Sequence, residues 1–147
     1  MKLSISADPG LAGGIAFIPN NDPAKAWAEP MPETMADLLA ILEPFAHNAD
    51  YQPFALIELV HSSPQMGVKS AFTFGQGFGR LEMAFSACRI PFDYVRPQVW
   101  QKALGCLTKG DKSVTKAKAQ QLFPHLKCTH KISDALLIAE YNRRTHQ

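Results

Sequence analysis

The order of elements in this chain predicts a mixed α/β fold, a sheet that begins antiparallel and continues parallel, with helices on both faces. Three observations carry that expectation. Residues 3–8 alternate apolar and polar, and a second short apolar run at 14–18 follows after a Pro9-Gly10 and Gly13-Gly14 turn cluster. Two more short apolar runs, 54–60 and 92–95, are flanked by stretches with helical spacing. The chain has 147 residues, 46% hydrophobic and 19% charged, which suits one compact globular domain over residues 1–147.

Taken in order, residues 3–8 read as the first strand and 14–18 as the second, antiparallel to it. Pro19 to Pro23 is a turn cluster, and 24–29 is a candidate third strand. Residues 33–46 place Met35, Leu38, Leu39, Leu42 and Phe45 at helical spacing. The run 54–60 reads as a buried strand with Glu58 inside it, and His61–Gly67 reads as a loop. A long helix over 68–88 follows despite Gly75, Gly77 and Gly79, and 92–95 is a further strand. Pro97 opens a short helix over 97–104, since proline suits the first helical position. A Lys-rich helix over 111–123 stops at Pro124, and a last helix covers 131–144, with 127–131 as a loop.

Composition excludes several classes. No apolar run approaches the roughly 18–20 residues that span a bilayer, and the N-terminus lacks the apolar core and cleavage site of a secretory signal, so no membrane role is expected. Cys88, Cys106 and Cys128 are odd in number and without a CxxC, which argues against disulfides and a cysteine zinc site and for a reducing, cytoplasmic interior. Net charge is +2, yet residues 1–95 carry −5 and residues 96–147 carry +7. A basic half suits a polyanion, although a merely solvated basic face has the same composition.

Three acids occupy unusual positions. Asp8 ends the first strand, Glu58 lies in an apolar strand, and Asp134 lines up with Leu137, Ile138 and Tyr141 on the last helix. A strand-end Asp often serves a turn, and a helix-start Asp the helix dipole. An acid on an apolar face, however, needs a partner. If the three converge, their repulsion calls for a divalent cation, and oxygen-only ligands suit Mg²⁺ or Mn²⁺.

Ile5-Ser-Ala-Asp8-Pro-Gly-Leu-Ala-Gly-Gly14-Ile-Ala, Leu56-Ile-Glu58 and Ser133-Asp134-Ala-Leu-Leu-Ile-Ala139, in this order, resemble the three acidic motifs of RuvC-type Holliday-junction resolvases in their compact bacterial and phage-borne form. Gly67-Val-Lys69-Ser-Ala-Phe72-Thr-Phe-Gly75, Pro97-Gln-Val-Trp100-Gln-Lys102 and Gly110-Asp-Lys112-Ser113 running to Pro124 extend the resemblance over nearly the whole chain. It implies an RNase H-like fold, a homodimer, and paired Mg²⁺-dependent nicking of four-way DNA junctions that leaves 5′-phosphate and 3′-hydroxyl ends, in a bacterial cell or phage-infected host. It implies no small-molecule cofactor.

The resemblance assigns Asp8, Glu58 and Asp134 to catalysis and to two Mg²⁺ ions, replaceable by Mn²⁺, roughly 3.5–4 Å apart. The family often has a second acid three residues before the helix Asp. Here that position is Lys131, a cation, and His130, one turn before Asp134, is the nearest substitute as ligand or proton shuttle. Lys69, Arg96, Lys102, Lys109, Lys112, Lys116 and Lys131 are candidate DNA-phosphate contacts, with a merely solvated face the alternative for the helix lysines, and the resemblance places Lys112 nearest the scissile phosphate. His61, Gln65 and Met66 occupy the loop where relatives stack an aromatic residue on a junction base, and no Phe, Tyr or Trp stands there in this chain. Ala71, Gly75 and Gly79 form a small-residue ridge on the long helix, either packed on the chain's own sheet or forming a dimer seam. Trp100, Phe123 and the cysteines are expected in the core. Runner-up readings are a junction-binding protein without cleavage and an RNase H-type nuclease on RNA–DNA hybrids. A sugar-kinase or actin type phosphate loop at 8–14 needs two such domains, for which 147 residues are too few.

Overall fold

The computed structural model describes residues 1–146. Five strands form one sheet in the order β3-β2-β1-β4-β5. They are β1 (Lys2–Ala7), β2 (Gly14–Pro19), β3 (Trp27–Pro30), β4 (Gln52–Glu58) and β5 (Phe92–Val95). β1 pairs antiparallel with β2, and β2 antiparallel with β3. β1 pairs parallel with β4, and β4 parallel with β5. The helices are α1 (Met35–Leu42), α2 (Val68–Ala87), α3 (Pro97–Ala103), α4 (Lys112–Leu122) and α5 (His130–Thr145). The mixed sheet with helices on both faces is therefore as expected.

Several boundaries differ from the expectation; β1 ends at Ala7, one residue before Asp8. β4 starts at Gln52 and ends at Glu58, so this acid closes its strand instead of lying inside it. The parallel register, with Ala7 opposite Ile57, ends the two central strands at one level. β3 starts only at Trp27, because Pro23–Lys25 forms a short 3-10 turn first. α1 is capped by Thr34, whose hydroxyl accepts from the Asp37 amide at 3.1 Å, and gives way after Leu42 to a 3-10 turn where Pro44 cannot continue the helix. α5 already begins at His130, so His130 and Asp134 share one helix and the loop before it is shorter.

Side-chain alternation sorts the core into two layers. Leu3, Ile5 and Ala7 of β1, Ile15 and Phe17 of β2, and Ala55 and Ile57 of β4 join Leu38, Leu42, Leu81 and Phe85 on the α1/α2 side. Ala16, Ile18 and Leu56 join Trp100, Phe123 and the apolar side of α5 on the other. β1 presents Ser4 and Ser6 to that second side. The Ser6 hydroxyl donates to the Ala135 carbonyl at 2.5 Å, and Asn142 Nδ2 donates to the Ile5 and Phe54 carbonyls at 2.9 and 2.8 Å. These polar bonds fix α5 against the two central strands. Trp100, Phe123 and all three cysteines are buried, as expected.

Candidate active site

Asp8 follows β1 immediately and Glu58 ends β4, so the two acids stand at the carboxyl ends of neighbouring parallel strands. Alternation carries Asp8 to the side of Ser4 and Ser6, and Glu58 to the side of Leu56, which is the α5 side for both. Asp134 lies in the second turn of α5, one residue before the carbonyl that Ser6 holds.

The turn between β1 and β2 is built for this approach. The Asp8 amide donates to the Gly14 carbonyl at 2.9 Å. A Cβ on Gly13 would meet the Asp8 carbonyl oxygen, and a Cβ on Gly14 would lie 2.6 Å from the carbonyl oxygens of both Glu29 and Lys131. Gly14 thus lets the first turn of α5 close onto β2.

The acids sense one another. Burial, followed by the charges of Glu58 and Asp134, pushes Asp8 well above the usual carboxylate range, with Lys112 pulling the other way. Burial pushes Glu58 up to about 7; the Trp100 hydrogen bond and Lys112 oppose the shift and Asp134 adds to it. Trp100 Nε1 donates to Glu58 Oε2 at 2.7 Å. Lys112 therefore lies within electrostatic reach of Asp8 and Glu58 alike. It opens α4 behind a turn in which Lys109 and Gly110 both have positive φ, and Asp111 caps the helix by accepting from the Ser113 amide at 2.9 Å.

Among the described residues, no three His, Cys, Asp or Glu side chains gather closely enough to hold a metal ion. The three acids are in electrostatic range of one another, with Glu58 bonded to Trp100, and do not form the closed cage that convergence suggested. The donor chemistry nevertheless fits a hard divalent cation: two carboxylates at the carboxyl ends of β1 and β4 and a third on α5, the first two pushed toward the protonated form by burial and by like charge that a cation would relieve.

The other expected site residues are more dispersed in role. His130 is exposed as the first residue of α5, one turn before Asp134, and Lys131 is exposed beside it. His61 and Gln65 are exposed and Met66 half-buried in the loop leaving Glu58, and Lys69 is exposed in the first turn of α2. Arg96, Lys102, Lys109, Lys112 and Lys116 are all exposed along α3, α4 and the turn between them. The Trp100 contact to Glu58 is the feature that sequence reasoning missed. Its signal was available: a buried indole N–H and a strand carboxylate each need a partner.

Two solved structures share this architecture. Thermus thermophilus RuvC in complex with Holliday junction substrate superposes with a TM-score of 0.61 at 18% identity, covering 92% of this chain and 89% of that one. The Thermus thermophilus RuvC structure gives 0.60 at 17%, covering 92% and 90%. The fold is RuvC-like. No protein-family model and no curated protein matches the chain. In this RuvC-like, RNase H-like frame, the carboxyl ends of β1 and β4 that carry Asp8 and Glu58 lie on the face that α5 covers, with Asp134 in its second turn.

Proposed function

We propose that the protein is a divalent-metal-dependent endonuclease that resolves four-way DNA junctions. One observation carries the reading: Asp8, just past β1, and Glu58, the last residue of β4, stand at the carboxyl ends of adjacent parallel strands on the face where α5 sets Asp134, and Asp134 perturbs both, as Glu58 does Asp8. A RuvC-like fold, one example of which was solved with a Holliday junction, supports the choice of branched DNA. Asp8, Glu58 and Asp134 would hold two Mg²⁺ or Mn²⁺ ions, with His130 assisting beside Asp134. Ions bound there supply an activated water and neutralise charge at the leaving 3′ oxygen. The chain's own part is to set the carboxylates, to bring Lys112 to the phosphate as a fixed positive charge, and to position the DNA through Lys69, Arg96, Lys102, Lys109, Lys116 and Lys131. His61, Gln65 and Met66 would meet the junction centre. The products are a 5′-phosphate and a 3′-hydroxyl, and the work is done in the cytoplasm.

Paired nicks call for two sites, hence a homodimer. Gly75 and Gly79 face open space rather than the chain's own sheet, and Val68, Phe72 and Met83 of α2 are exposed as well. That supports the seam over internal packing.

The test is cleavage of a synthetic four-way junction in Mg²⁺ against EDTA, with duplex and RNA–DNA hybrid controls. Asp8→Asn is expected to abolish cleavage and keep junction binding. Robust Mg²⁺-dependent cutting by that variant removes Asp8 from the role. Binding without cutting by the parent protein favours the non-cleaving reading, which draws on Lys131 at the place of the family's second acid. Preferential cutting of the hybrid favours an RNase H-type nuclease.

A further inference from the structure

Trp100 has no solvent exposure and sits in the core layer with Leu56, Val95, Leu104 and Leu136. A phenyl ring or an aliphatic side chain would serve packing there without bringing a polar atom. The indole brings a donor that must be satisfied, and it is spent on Glu58 Oε2 at 2.7 Å, the length of a charge-assisted bond. Among the described residues Glu58 has no other side-chain hydrogen bond, and neither Asp8 nor Asp134 has any. Glu58 is thus the one acid of the three whose carboxyl is held by a protein donor. The holder cannot swing, because Pro97 sets the start of α3 and the core encloses the ring. Its partner cannot drift along the chain either, because Glu58 is the last residue of a strand paired on both sides.

We infer that Trp100 is the positioning residue for Glu58: its N–H fixes one carboxylate oxygen and leaves the other for a hard divalent cation, an inference that rests on the nuclease reading above. Groups that orient a ligand in this way commonly set metal affinity by about 10–100-fold. Asp8 and Asp134, lacking such a donor, adjust around the fixed carboxyl. Lys112, within electrostatic reach of Glu58, offers charge but no hydrogen bond to it.

The test uses the full chain with Mg²⁺ as probe. In calorimetric titration, Trp100→Phe is expected to bind Mg²⁺ about 10-fold more weakly than the parent, while junction binding in EDTA stays unchanged. In the ¹⁵N-labelled protein, the indole N–H resonance of Trp100 is expected to move in Glu58→Gln and again during the Mg²⁺ titration of the parent. Trp27, stacked on Phe17 in the opposite layer, supplies an internal control that stays still. A folded Trp100→Phe protein that binds Mg²⁺ within twofold of the parent overturns the proposal. Should that variant fail to fold, a Trp100 resonance indifferent to both Glu58→Gln and Mg²⁺ overturns it instead. If Asp8→Asn and Glu58→Gln both bind Mg²⁺ as tightly as the parent, the metal-site reading itself has failed, a different result from loss of the Trp100 role alone.

Discussion

Glu58 combines two conflicting demands. It closes a strand in the core layer, where burial disfavours its charge, and it stands at the carboxyl end of the sheet beside Asp8, where charge is useful. Its folded-state value of about 7 lies above the ordinary 4.5. For such a group the folded state binds the extra proton, so its contribution to stability is fully present below pH 4.5 and is lost as pH rises through 7. In chelated protein, Glu58→Gln is therefore expected to raise stability at pH 8 by up to about 3 kcal/mol, while still accepting from Trp100, and to give no gain near pH 4. Thermal melting at the two pH values, in EDTA, measures this; an equal effect at both would mean that the carboxyl is not perturbed by folding. Gly14 is the second residue on which the site turns. With carbonyl oxygens of Glu29 and Lys131 both 2.6 Å from its missing Cβ, Gly14→Ala forces backbone apart. The expected cost is about 1–3 kcal/mol, with a loss of cleavage larger than the loss of stability explains, because α5 carries Asp134.

At the scale of elements, α2 and α5 differ in how their surfaces are used. α5 is buried along most of its length and is anchored by Ser6 and Asn142. α2 buries Leu81, Ala84 and Phe85 in its second half and leaves Val68, Phe72, Gly75, Gly79 and Met83 facing outward. An apolar stripe interrupted by glycine suits close contact with a second copy of itself. Phe72 is 67% exposed on the single chain, so Phe72→Glu is expected to change the stability of the monomer by no more than about 0.5 kcal/mol and, with α2 as the proposed seam, to lower the dimer fraction in sedimentation. A parent that is already monomeric at micromolar concentration would remove the seam from this helix.

Across the whole molecule, the charge asymmetry resolves into two populations. Glu140 is buried and accepts from Arg143 at 2.7 Å and from Arg144 at 2.7 Å. Burial opposes its charge, but the two guanidinium groups hold it below the usual carboxylate range. Those two cations are engaged internally. Lys109, Lys112 and Lys116 are exposed and absent from the salt bridges of the described residues, and Lys112 reaches the acids. Replacing Lys112 or Lys116 by Ala is expected to weaken junction binding. The slope of the logarithm of affinity against the logarithm of salt concentration should fall by about one for each phosphate no longer neutralised. Arg144→Ala is expected to leave that slope unchanged. Fluorescence anisotropy over a salt series separates the two groups, and an unchanged slope for Lys112→Ala would exclude its role at a phosphate.

Much of this fold is written in local pattern. Alternation over 3–8, the Pro-Gly turn, helical spacing at 33–46 and Pro97 each declare an element from a few residues, because strand and helix periods are local consequences of backbone geometry. The acids Asp8, Glu58 and Asp134 were legible for the same reason, as carboxylates out of place on apolar patterns. Their relation was not, since register between β1 and β4 arises from pairing across some fifty residues of chain. Gly13-Gly14 read as a turn, yet the demand on Gly14 comes from a helix more than a hundred residues away. The same holds for Trp100, whose pattern announces a core residue. Only the tertiary fold, which packs α3 against α5, brings its N–H to Glu58, because hydrogen-bond partners of buried groups are chosen by what the fold brings within about 3 Å.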